Sequence, residues 1–186
     1  LPAGECIRAT ALGCSAFSIQ LSGATSAITS PATLLPRRNL PVLQPSFAFS
    51  DTLATADIAE AIVLHRRAFG DDAPEKELAF AFRWRGDGEY GRVRTFAEGL
   101  IGGLADRIAA GTALYILLEG DIAQTLGAIL RDELQVQSDM FIVDGIVLRD
   151  FDYVDLGRVR LPSGMVPVTV KSLQFPAADR LPPSNT

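Results

Sequence analysis

An α/β domain built on a mixed sheet is what the sequence predicts, on three observations. The stretch Ala113–Leu118, Ala-Leu-Tyr-Ile-Leu-Leu, is apolar without alternation, the pattern of a strand covered on both faces. A short turn, Glu119-Gly120-Asp121, joins it to Ile122–Leu134, where Ile122, Leu126, Ile129, Leu130 and Leu134 recur at helical spacing. Upstream, two more segments with helical periodicity alternate with apolar strand-like runs, the order of an α/β sheet.

Taken in order, Ile7–Leu12 reads as a first strand, stopped at a turn through Gly13, Cys14 and Ser15. Phe17–Leu21 alternates apolar with polar residues, as a half-buried strand does, and Thr25–Thr29 is a weaker third strand. Together they suggest an antiparallel meander. Residues 31–45 carry four prolines, which argue against a helix or a central strand and for an extended surface connection.

A helix follows, with Thr55 as N-cap, Asp57 in its first turn and Ile58, Ile62 and Phe69 in its stripe. His65, Arg66 and Arg67 fall in its last turn, where positive charge complements the dipole, and Gly70 stops it. That position makes His65 a helix-end residue rather than a catalyst. Asp71–Glu77 is an acidic loop, and Leu78–Trp84 is a strand. Arg92–Ala110 is a long helix with Val93, Phe96, Leu100, Leu104 and Ile108 facing the core. Gly99, Gly102 and Gly103 lower its propensity by roughly 1 kcal/mol each relative to alanine, which a helix tolerates where a neighbouring backbone comes close. In the helix Ile122–Leu134, Asp121 with Gln124 forms a variant capping box. Beyond it, Met140–Val143, Ile146–Leu148, Tyr153–Leu156, Val159–Leu161 and Met165–Phe175 read as short strands, with a hairpin turn at Pro162-Ser163-Gly164.

The order is therefore β-β-β-α-β-α-β-α over residues 1–134, with short strands and hairpins at 135–175 as a small β appendage on the same domain and a frayed tail at 176–186. Three meandering strands followed by alternating helices and strands match the ribonuclease H-like fold, the half-unit of actin and Hsp70-type ATPases, with helices on both faces of a mixed sheet. Fold alone gives no activity.

Composition narrows the function. With 186 residues, 48% hydrophobic and 21% charged, the chain has enough apolar content for a full core. A net charge of −5 with no basic stripe argues against nucleic acid as a partner. One histidine and two cysteines, Cys6 and Cys14, support neither a histidine metal site nor a disulfide framework; the cysteines are expected reduced. No apolar run is long enough to span a membrane. The start at Leu1-Pro2, directly before a strand, suggests a portion of a longer protein. No nucleophile and base pair can be read from spacing, and no residue is assigned a catalytic or metal-binding role.

Two places are candidates for the rim of a ligand cleft. The turn Gly13, Cys14, Ser15 offers backbone N–H groups and a hydroxyl that can contact phosphate without an acid. It lacks the carboxylate that would hold Mg2+. The turn Glu119, Gly120, Asp121 lies at the carboxyl end of a strand, where ligands gather in open α/β sheets. The plainer reading of those residues is a charged turn and an N-cap.

Several segments carry a family resemblance. They are Ile7-Arg8-Ala9-Thr10, Gln20-Leu21-Ser22-Gly23, Leu34–Val42, Leu118–Ile122 with Leu126-Gly127, Asp152–Gly157 and Val166–Phe175. Together they resemble the ethanolamine ammonia-lyase reactivating factor (EutA) family, in its C-terminal portion. The resemblance implies a chaperone-like factor that uses ATP and Mg2+ to exchange damaged cobalamin on an adenosylcobalamin-dependent lyase. It implies the lyase as partner, a place in the bacterial cytoplasm beside the ethanolamine-utilization machinery and its microcompartment, and compatibility with a homo-oligomer. The Asp-x-Gly-x-Thr-Thr loop by which actin-like ATPases grip phosphate is not found in the sequence. The alternative is therefore a docking module, with nucleotide handled by the upstream part.

Overall fold

The computed structural model describes residues 14–23, 26–47, 53–71 and 73–174. Eight strands form one sheet in the order β1-β8-β7-β3-β4-β5-β6-β2, where β1 is Cys14–Leu21, β2 Ser26–Ile28, β3 Arg37–Leu43, β4 Ala79–Arg83, β5 Leu114–Glu119, β6 Met140–Asp144, β7 Tyr153–Leu156 and β8 Pro167–Gln174. The helices are α1 (Pro31–Leu34), α2 (Thr55–Ala68), α3 (Tyr90–Gly103), α4 (Ala105–Ala109) and α5 (Ala123–Ala128), the last running into a π-helical turn at Ile129–Glu133.

The centre is parallel. β3, β4, β5 and β6 lie side by side in chain order, linked through α2, through α3 with α4, and through α5. Right-handed crossovers that always advance in one direction place their helices on the same side of a sheet. Accordingly Ile58 and Ile62 of α2, Phe96 and Leu100 of α3 and Leu126 of α5 share one core with Phe80, Phe82, Ile116, Leu118 and Ile142. The expectation of helices on both faces is corrected: among the described residues, only the one-turn α1 of the helices contributes to the opposite core, through Leu34.

That second core is made by the sheet itself. Ala79, Ala81, Tyr115, Leu117, Phe141 and Val143, the alternate residues of the parallel strands, pack with Val154, Leu156, Val168 and Val170 of β7 and β8. For strands of one sheet to cover one another, the sheet must curl. Its two edges meet: β1 ends at Leu21 and β2 starts at Ser26, a span of at most about 18 Å. Between them, Ser22 N–H donates to the Val166 carbonyl (3.0 Å) and Gly23 N–H to the Asp144 carbonyl (2.9 Å).

The antiparallel meander expected at the N-terminus is thus not formed by the described residues. Phe17–Leu21 belongs to β1, which pairs with β8, and Ser26–Ile28 pairs with β6 at the other edge. The strand expected at Ile7–Leu12 lies outside the described residues. Residues 31–45 are not a surface connection either: they hold α1 and the central strand β3. Pro41 is tolerated there because β3 touches β4 only from Val42 onward and is bulged at Asn39, whose φ is 55°. The C-terminal strands are likewise no appendage, since β7 pairs with both β3 and β8.

Local expectations fare better in the core. β4, β5 and β6 form at the predicted strands Leu78–Trp84, Ala113–Leu118 and Met140–Val143, to within a residue at each end. The close approach inferred from the glycines of the long helix is real: a Cβ on Gly99 would lie 2.6 Å from the Ile58 side chain, and one on Gly103 2.7 Å from Ile62. The helix itself breaks at Leu104, just after Gly102 and Gly103.

Candidate functional site at the carboxyl ends of the parallel strands

All four parallel strands point their carboxyl ends the same way, so Gln44, Arg83–Arg85, Glu119–Asp121 and Asp144–Gly145 gather at one end of the sheet. A cleft of about 210 Å3 opens there, lined by Gln44, Pro45, Ser46, Phe47, Arg83 and Arg85. Arg83 Nε stands 3.1 Å from Glu119 Oε2, a half-exposed ion pair at close distance but out of line for a hydrogen bond. The loop after β4 is pinned from below. Arg92 lays its guanidinium 5.6 Å from the Trp84 ring centre and donates to the Arg85 carbonyl (3.1 Å). Gly86, at φ 86°, leaves room for that guanidinium.

The sequence-predicted residues are distributed differently from the expectation. Gly13 lies outside the described residues. Cys14 and Ser15 are not in a turn: they open β1, paired with Gln174 and Leu173. Extended, paired backbone does not curl its N–H groups around an anion, and β1 is an edge strand away from the parallel centre. The two predicted rims are therefore not brought together.

At the second rim, Gly120 is needed for contact rather than for a ligand, since a Cβ there would lie 2.7 Å from the Trp84 Cβ. Asp121 is not the N-cap of α5. That position is Ile122, and the N–H groups of Ile122 (3.1 Å) and Ala123 (2.9 Å) donate to the carboxylate of Asp144. Asp144 is 3% exposed at the end of β6. The strand predicted from the sequence ends one residue short of it, at Val143; the signal was a carboxylate closing an otherwise apolar strand.

Fit to ATP and Mg2+ can be tested on these residues. The start of α5 already receives a carboxylate, and Cys14 and Ser15 are extended and paired with β8 rather than curled into a turn. Among the described residues no group of three or more His, Cys, Asp or Glu is placed to hold a metal ion. The cleft with Arg83 and Arg85 is the only one of these places whose charge suits an anion.

Two other polar clusters hold the frame. Arg66 donates to Asp71 (2.7 Å) and, through both Nη atoms, to Asp106 (2.7 Å each), while Arg107, 1% exposed, pairs with the other oxygen of Asp71. Burying two arginines against one aspartate ties α2, α4 and the loop before β4 together; nothing in the spacing of these residues announced it. His65 does stand in the last turn of α2. Its Nε2 is 2.8 Å from Asp150 Oδ1, and its ring stacks on Phe69 at 4.6 Å. Asp150 also accepts the Gln44 N–H (2.7 Å), so the turn after β6 is fastened to the strand end that lines the cleft.

An apolar, curled mixed sheet with an arginine-bearing cleft at the carboxyl ends of its parallel strands defines an α/β domain with a candidate ligand cleft. Comparison with known proteins is more particular: residues 1–176 match the family described as ethanolamine utilisation protein EutA, and the chain belongs to that family. It is 32% identical over 173 residues to the ethanolamine ammonia-lyase reactivase EutA of Escherichia coli and 31% identical over 176 residues to that of Salmonella typhimurium. Each match covers 93% of this chain but 35% of the relative, so the chain corresponds to a C-terminal portion. No solved structure matches. Among the described residues no helix is long and apolar enough to cross a membrane.

Proposed function

We propose that this chain is the C-terminal part of a reactivating factor for adenosylcobalamin-dependent ethanolamine ammonia-lyase, supporting ATP- and Mg2+-dependent exchange of damaged cobalamin in the bacterial cytoplasm. The observation that carries this reading is a match to two reactivases over 93% of the chain. The lyase chemistry belongs to the partner. A ribonuclease H-like or actin-type half is the finer reading of the fold. Its support is the run β8-β7-β3, antiparallel, continuing into parallel β4 and β5, although the chain threads these strands in a different order. Self-association and a place near the ethanolamine microcompartment remain compatible with the reading.

The test is reconstitution. The full-length factor is mixed with inactivated lyase, adenosylcobalamin, Mg2+ and ATP, and ammonia release is followed. Recovery of activity is expected; an intact factor that restores nothing would sink the proposal.

A second reading, a docking module with nucleotide handled elsewhere in the full-length factor, is favoured by one observation. The backbone N–H groups at Ile122 and Ala123 are already taken by Asp144. On this reading the full-length factor binds the lyase without nucleotide, and Arg83→Ala with Arg85→Ala leaves its Mg-ATP affinity unchanged. A tenfold or greater loss of affinity, about 1.4 kcal/mol, would instead assign phosphate contact to the cleft.

A further inference from the structure

One feature of the surface is left without a role by the reactivase reading. On β1, Phe17, Ile19 and Leu21 point to the outer face of the sheet and are 65%, 76% and 55% exposed. They alternate with Ser18 and Gln20 and form a row about 14 Å long. The eight residues of β1 include no charge and no proline, the devices by which a solvent-facing edge strand is normally protected. The neighbouring strand does not shield the row: Lys171, opposite Phe17, is turned to Asp155 (2.7 Å) and Asn39 (2.6 Å). An apolar row of this kind on an edge strand marks a surface that is covered in the assembled protein.

The occupant can be argued from chain length. The reactivases that this chain resembles are matched over only 35% of their length, in a C-terminal portion, so most of such a protein precedes the match. β1 starts only 13 positions after Leu1, a reach of at most about 45 Å. A neighbour tethered through a short linker has an effective concentration on the order of millimolar without any diffusional encounter. We propose that the outer face of β1, through Phe17, Ile19 and Leu21, is the surface on which the N-terminal part of the full-length protein packs. The inference rests on family membership and not on the reactivation activity.

A photoreactive benzophenone side chain placed at Phe17 of the full-length protein tests this. Irradiation is expected to cross-link it, within one chain, to a peptide from outside residues 1–186. A cross-link to a second copy, to added lyase or to a peptide within residues 1–186 overturns the proposal, as does the absence of any protein cross-link. Independently, Ile19→Asp in the full-length protein is expected to lower the thermal midpoint by several degrees and to speed hydrogen exchange in the N-terminal part; an unchanged midpoint and exchange overturn it. Failure here leaves the reconstitution assay, and the functional reading it tests, unaffected.

Discussion

Asp144 and Ala123 are joined by a hydrogen bond of 2.9 Å from the helix backbone to a buried carboxylate, and Ile122 donates to the same group. A helix of six residues cannot sustain itself. Its first turn is fixed by the end of the adjacent strand. Asp144→Ala leaves two buried N–H groups unmet and is expected to cost about 2–4 kcal/mol, with Asp144→Asn costing less because one acceptor oxygen remains. Urea denaturation of the two variants checks the order.

Glycine at 99 and 103 is required by the contact of α2 with α3. Adding a methyl group would gain up to about 1 kcal/mol in helix propensity. Overpacking against Ile58 or Ile62 costs about 1–3 kcal/mol. The balance predicts net destabilisation for Gly99→Ala and Gly103→Ala. Gly91→Ala, where the nearest atom is 3.9 Å away, is the control and is expected to be neutral or slightly stabilising by thermal denaturation.

The Arg66–Asp71–Arg107 cluster is a buried network in which one carboxylate serves two guanidinium groups. Asp71→Asn would leave both arginines buried with their charge uncompensated at that point. A loss of about 3–5 kcal/mol is expected. Asp71→Asn combined with Arg107→Leu should recover part of it, because the second change removes one of the stranded charges.

Acid should loosen two other contacts. The hydrogen bonds from Arg66 hold the Asp106 carboxyl below the ordinary carboxylate range, and the hydroxyls of Ser30 and Thr29 do the same for Asp139. A carboxyl with a lowered folded-state pKa contributes stability that is fully present above its unfolded value, near pH 4, and is lost as pH falls through the folded value. Stability is therefore expected to decline below about pH 4, and Asp139→Asn to flatten that decline. Denaturation midpoints measured from pH 6 down to about 2.5 would show it.

Much of the parallel centre was legible in the sequence because burial on both faces erases alternation: Ala-Leu-Tyr-Ile-Leu-Leu and Met-Phe-Ile-Val could only be interior strands. The stripe of α2 and the glycines of α3 were readable for the same local reason. What escaped depends on pairing between distant segments. The alternation in Phe17–Leu21 fixed a strand but not its partner, β8. Pro41 concealed β3 because the bulge that accommodates it is a property of the assembled sheet. Asp144 and the Arg66–Asp71–Arg107 cluster act across separate elements, and the N-cap expected at Asp121 was misread because the helix is capped from another strand.

The meeting of the sheet's two edges bears on how the chain can be made. Ser22 exchanges hydrogen bonds with Val166, a partner 144 residues further along the chain. During synthesis the first strand leaves the ribosome long before β8 exists, and contacts this distant in sequence form late. Until Pro167–Gln174 emerges, β1 lacks its pairing strand, while the N-terminal part proposed to pack on its outer face is already made. That neighbour, synthesised first, would then shelter β1 while it waits for its partner, and the order of synthesis would match the order of assembly.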